Sequence, residues 1–253
     1  MLTGKGPGPV GTLSSDPATP DPSPTKNGNQ GPGPLSDLTK AGEQLASYER
    51  KLSGARASRA EILAELARLC FTLGEWGAEA KNDRKNYFEK GRDYAKLLIR
   101  ENPYLVAGHY WLALNLGGLA EMSGARRDLR LVPIMVQELI VAATIDGAYN
   151  QAGPHRVLGR IYCMAPAWPM SVGDLNKSVK HLRIAVGLAP ENSSNHLYLA
   201  ETLIQMGKVD QACQELNEVR TSTTHANWVP GLEEDRQKAS RLLRECKPAT
   251  SSR

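Results

Sequence analysis

The 253-residue chain predicts an all-α fold of stacked antiparallel helical hairpins with enlarged inter-helix loops, and three observations carry that expectation. Leu and Ala dominate an apolar share of 41%, while aromatics make up only 6%, a bias that suits packed helices better than a β-sandwich. From Ser36 to Cys246, apolar residues recur at helical spacing. Along that stretch one small cluster of residues returns four times.

Taken in order, residues 1–34 hold eight of the sixteen prolines and seven glycines with almost no large apolar side chains. Such a segment buries too little to offset its ordering entropy, so 1–35 is expected to be a disordered tail. Residues 36–246 are expected to form the helical domain and 247–253 a flexible end. Leu38, Ala41, Leu45 and Tyr48 make the first apolar stripe; Ile62, Leu63, Leu66, Ala67, Cys70 and Leu73 make the second. Two short-linked amphipathic helices form a hairpin.

The recurring cluster is Leu66-Ala67-x-x-Cys70, Leu112-Ala113-x-x-Leu116, Leu158-Gly159-x-x-Tyr162 and Leu199-Ala200-x-x-Leu203, at intervals of 46, 46 and 41 residues. A large apolar residue is followed by a small one, then by another large one a turn later. The small position marks where a neighbouring helix crosses closely, because only Gly or Ala leaves room for its approach. Asn102-Pro103 and Ala189-Pro190 stop the second helices, Asp174 is a candidate N-cap, and "QMGKVD" is a tight connection. In "PGLEEDRQ", Glu233, Glu234 and Asp235 are expected in the first turn of the last helix, where they favour its dipole. Trp228, before Pro230, is expected to pack where that helix starts.

This pattern resembles the tetratricopeptide repeat, whose first helix carries Leu-Gly-x-x-Tyr and whose second ends near a proline. Spacings longer than its 34 residues imply insertions, and "GEWGAEAKNDR", "SGARRDLRLVP" and "APAWPMSVGD" fall between first and second helices, hence on one edge of the stack.

Chemistry-bearing motifs are sparse. Net charge is +4, with both signs interspersed, which argues against a nucleic-acid partner. No G-x-S-x-G elbow, phosphate-binding glycine loop or H-E-x-x-H pattern occurs, so no enzyme, cofactor or metal is expected. Cys70, Cys163, Cys213 and Cys246 lack zinc-type spacing and read as buried thiols, with a Cys213–Cys246 pair open in an oxidising compartment. His109, His155 and His196 each precede the small position by four residues, which argues for packing. His181 and His225 complete the set of five. No run is apolar enough to span a bilayer, and "MLTGKGPGPVGTLSS" lacks the apolar stretch of a signal peptide.

"GPHRVLGRIYCMAPAWPMSVGD", with Leu158, Gly159, Tyr162, Pro166, Pro169, Gly173 and Asp174 as its frame, resembles the signature of the TRAP transporter T-component family. That resemblance implies a non-enzymatic, periplasmic, oligomerising accessory protein that contacts a transporter's solute-binding component. Its alternatives are an oligomeric carrier of an organic anion or hydrophobic solute, and a general scaffold in the cytoplasm. In the repeat register, the groove positions are Ala64, Arg68 and Phe71; Tyr110, Leu114 and Gly117; Arg156, Arg160 and Cys163; Leu197, Glu201 and Ile204. The candidate partner or ligand contacts are Arg68, Tyr110, Arg156, Arg160, Glu201 and Trp168. Arg156 and Arg160 rise from one helix face and need an anion, supplied by Glu201 or by a ligand. Trp168, between two prolines, either packs on its own repeat or anchors an interface.

Overall fold

Apolar residues at helical spacing become ten helices, α1 to α10, among the residues described by the computed structural model, which are 34–52, 54, 58–77, 80–122, 129–223 and 229–246. No strand occurs among them. All ten helices belong to one unit, Gly31–Arg253. The expected tail before residue 34, Trp228, His225 and the end after residue 246 lie outside the described residues.

Helix α1 (Pro34–Leu52) opens on proline, whose fixed φ and missing N–H suit the first helical position. It buries Ala41 and Leu45 against α2 (Arg59–Thr72), which continues as a π-helical turn, Leu73–Gly77. Then come α3 (Lys81–Glu101), α4 (Val106–Met122), α5 (Leu131–Asp146), α6 (Tyr149–Met164), α7 (Leu175–Leu188), α8 (Ser193–Gln205), α9 (Val209–Thr221) and α10 (Val229–Cys246). Hairpins pair α2 with α3, α4 with α5, α6 with α7 and α8 with α9, and each second helix also packs on the next first helix. First helices contact one another along the series α2, α4, α6, α8, which is the arrangement of stacked tetratricopeptide hairpins.

Helix ends follow the local chemistry. The Asn102 N–H donates to Leu98 O at 2.8 Å and the Ala189 N–H to Ala185 O at 2.9 Å, each just before a proline. Asp174 caps α7, its Oδ1 accepting from the N–H groups of Asn176 (2.9 Å) and Lys177 (3.1 Å). Gly207, at φ +72°, closes α8 in the left-handed conformation that glycine adopts without penalty. Two of the three insertions lengthen a connection from first to second helix, residues 123–130 between α4 and α5 and 165–174 between α6 and α7. The first differs from expectation in being largely helical, since the π-helical turn and the start of α3 leave only 78–80 between them.

The repeating small residue is buried in every copy: Ala67, Ala113, Gly159 and Ala200. At Gly159 the reason is direct, since a Cβ there would lie 2.4 Å from Leu182 Cγ on α7. Cys70 and Cys163 are buried thiols and Cys213 is half-buried, all three free. Burial pushes the Cys70 thiol up to about 12. The Cys246 side chain lies outside the described ones.

The acidic cluster on α10 differs from expectation. The helix begins at Val229, so Glu233, Glu234 and Asp235 lie beyond its first turn. Asp235 instead accepts from Ser193 Oγ (2.6 Å) and Ser194 Oγ (2.9 Å), capping the start of α8 from outside. The carboxylate thus serves a neighbouring helix N-terminus, where the dipole still favours it.

Candidate functional site

The stretch from Gly153 to Asp174 is built residue by residue. Before it, Asn150, Gln151 and Ala152 adopt left-handed backbone (φ 50°, 57° and 62°), a turn that costs L-residues about 1–2 kcal/mol each. Arg156, one helical turn onward, reaches back to hold it. Its Nη1 donates to Gln151 O (2.8 Å) and Asn195 Oδ1 (3.3 Å), and its Nη2 donates to Asn150 O (3.4 Å). Asn192 Nδ2 donates to the Gln151 side-chain oxygen, and Asn150 Nδ2 donates to Tyr110 Oη at 3.0 Å. Gly153 leaves room for Tyr110, because a Cβ there would come within 2.7 Å of the ring. Leu158 is fully buried.

This network corrects part of the expected groove. Tyr110 and Arg156 are buried (0% and 3% exposed), and Leu197 with them, so none of the three lines an open wall. For Tyr110 and Arg156 the cause is the left-handed entry into α6, whose Asn150 side chain and backbone carbonyls bond to their polar ends, whereas Leu197 is packed into the core formed with α7 and α9.

Arg160 follows the other expectation. Its Nη1 pairs with Glu201 Oε2 and its Cζ stacks 4.7 Å above the Tyr198 ring, while Lys238 takes the other oxygen of Glu201. Burial opposes the Arg160 charge, but Glu201 more than offsets it and the guanidinium pKa is raised. Arg68 is held within its own helix by Glu65, through Nε (2.9 Å) and Nη2 (2.8 Å). Each of these two half-buried cations is answered by a carboxylate of the chain itself.

Trp168 faces solvent. It is 85% exposed and Met170 is 72% exposed, at the tip of the connection between α6 and α7. The loop beneath them is tied at its base: Gly173 N–H donates to Pro166 O and Asp174 N–H to Tyr162 O, both at 2.9 Å. At its tip, Met170 N–H donates to Ala167 O at 3.1 Å. Gly173 is required there, since a Cβ would sit 2.1 Å from Ala165 O. Gly173→Ala should therefore displace the loop while leaving the helices intact, seen as altered Trp fluorescence with an unchanged far-UV circular dichroism spectrum.

Histidines carry a feature that sequence reasoning assigned only to packing. In two repeats the same clamp recurs: His109 faces Glu138 (Nδ1, 2.6 Å) and Pro103 O (Nε2, 2.9 Å), and His196 faces Glu215 (2.7 Å) and Pro190 O (2.7 Å). The six-residue spacing from Pro to His is the signal that could have found it. In the repeat between, His155 Nδ1 lies 3.0 Å from His181 Nδ1, with the rings stacked and Tyr162 stacked on His181. Burial opposes the charge on His196, but Glu215 and Pro190 O outweigh it and raise its pKa. Burial lowers His155; burial, then His155 and Lys180, lower His181 to about 4.

The signs differ accordingly. The His196 contribution is present below its ordinary 6.5 and lost as pH rises through the raised value. The His155–His181 contribution is present above 6.5 and lost as pH falls toward about 4. The melting midpoint should fall between pH 6.5 and 4, and His181→Phe should flatten that fall. Among the described residues, no group of three or more metal-ligating side chains is assembled.

Comparison with known proteins fits this architecture. A family model described as regulator of microtubule dynamics protein 1-3 matches residues 35–164, just over half of the chain, from α1 to the end of α6. The chain belongs to that family. No curated protein matches in sequence. The crystal structure of a thermophilic tetratricopeptide-repeat protein from Thermus thermophilus superposes with a TM-score of 0.61 at 20% identity, covering 83% of this chain and 94% of that one. The likeness shows a tetratricopeptide-type fold. Neither match supports the T-component resemblance, whose most specific residues, Ala165 to Asp174, lie beyond the matched segment. Among the described residues, no helix is long and apolar enough to cross a membrane.

Proposed function

We propose that the chain is a non-enzymatic, protein-binding repeat module whose partner is gripped by the loop between α6 and α7. The observation that carries this reading is the exposure of Trp168 and Met170 on a loop hydrogen-bonded at its base. The ordered backbone has little freedom left to lose when a partner covers these two side chains, and Trp is enriched among the residues that anchor interfaces. Internal pairing of Arg160 and Arg68 supports the same reading over an anion carrier, because each already meets a carboxylate of the chain.

Family membership makes tubulin, or a protein bound to it, the first partner class. The solute-binding component of a TRAP-type transporter is a second reading, favoured by the AP-x-WP-x-S-x-GD string. One experiment separates them: the purified full chain is co-sedimented with polymerised tubulin and, in parallel, its native complexes are recovered by pull-down. Enrichment in the microtubule pellet supports the first reading, and recovery of a solute receptor supports the second. In whichever complex forms, Trp168→Ala should weaken binding by about 2 kcal/mol, near thirtyfold. Undiminished binding by that variant would remove the loop from the interface.

A further inference from the structure

A groove of about 950 Å³ runs between α3 and α5 over the flank of α4, remote in sequence from the Trp168 loop. Its floor is apolar, with Leu112 and Leu116 of α4 beneath Ile99 of α3 and Ile134 of α5. Helix α5 is apolar almost all round, yet buries only Met135, Val136, Leu139 and Ala142; Ile134 remains 45% exposed. A surface helix of that composition leaves an apolar face without a partner.

The α3 wall is basic. Lys85, Arg92, Lys96 and Arg100 lie along one helical stripe. Lys85 is answered by Glu89 (3.6 Å) and Arg92 by Asp93 (2.8 Å), while Glu138 on the opposite wall is engaged by His109. Lys96 and Arg100, four residues apart and both exposed, have no carboxylate partner among the described residues. An apolar floor beside two adjacent unanswered cations is complementary to a helix with an apolar stripe flanked by carboxylates one turn apart.

We infer that the groove between α3 and α5 is a docking site for an acidic amphipathic helix of a partner protein. Apolar side chains of that helix enter over Leu112, Leu116 and Ile134, and its carboxylates meet Lys96 and Arg100. From Lys85 to Arg100 the wall spans about 22 Å, the length of a helix of about 15 residues. The site is independent of the Trp168 loop, so either can fail without the other.

The test is titration of the full chain with a fluorescent amphipathic peptide of about 15 residues, carrying Leu at i, i+3, i+4 and i+7 and Glu at two flanking positions one turn apart. A second peptide replaces those Glu by Lys. The acidic peptide should bind at least about tenfold more tightly than the basic one, and more weakly as salt is raised. K96E combined with R100E should lose that preference, Ile134→Asp should weaken both peptides, and Trp168→Ala should change neither. Melting curves of the variants should match the parent, since all three groove positions are exposed. Equal binding of the two peptides, or undiminished binding by the charge-reversed variant, would overturn the inference. So would binding of dodecanoate in place of either peptide, which would assign the groove to a small amphiphile.

Discussion

Arg156→Ala should lower stability by about 3 kcal/mol, and the melting midpoint by roughly 6–12 °C, without weakening a partner bound through Trp168. The substitution removes the two guanidinium bonds to Gln151 O and Asn150 O in a turn that is already strained. Asn195 Nδ2 lies 3.5 Å from Gln151 O, too long to replace the guanidinium contact. Arg156→Lys should recover part of the loss, because an ammonium can bond one carbonyl but lacks the planar fork that spans two. A binding defect with an unchanged midpoint would instead return Arg156 to the partner surface. Thermal melts beside the co-sedimentation assay distinguish the two outcomes.

Gly159→Val should cost about 3 kcal/mol through overpacking at the crossing of α6 and α7. The added Cβ would stand 2.4 Å from Leu182 Cγ, and α7 cannot simply retreat, since Ser178 Oγ donates to Gly159 O at 2.8 Å and pairs with Thr202 Oγ1 at 2.9 Å. Adding Leu182→Ala should relieve the clash. In a double-mutant cycle the two substitutions should then couple favourably by about 1 kcal/mol or more. Strict additivity would show that the crossing does not depend on this contact.

These two positions mark where sequence reading succeeds and where it stops. Gly159 is legible because the demand for a small residue recurs with the repeat, and a repeated steric demand leaves a repeated residue type. Asp174 is legible because capping is local: its side chain bonds N–H groups two and three residues away. Arg156 escapes such reading because helical register puts it on the groove face, while its partners depend on a left-handed entry into α6 that no residue-type rule demands of Asn-Gln-Ala. Asp235 escapes it for a related reason. It neutralises a helix N-terminus, but that of α8, some forty residues earlier.

The all-helical class, the hairpin repeat, the placing of the insertions between first and second helices and the small residues at the crossings are legible in the order of residues alone. All of these are properties of period and local sterics, written into neighbouring residues. The packed fold is needed to see that Tyr110 and Arg156 turn inward, that Arg160 pairs with Glu201, that His155 meets His181 and that Trp168 points into solvent. Each of those outcomes depends on which distant backbone lies over a side chain, and the order of residues along one helix does not carry that information.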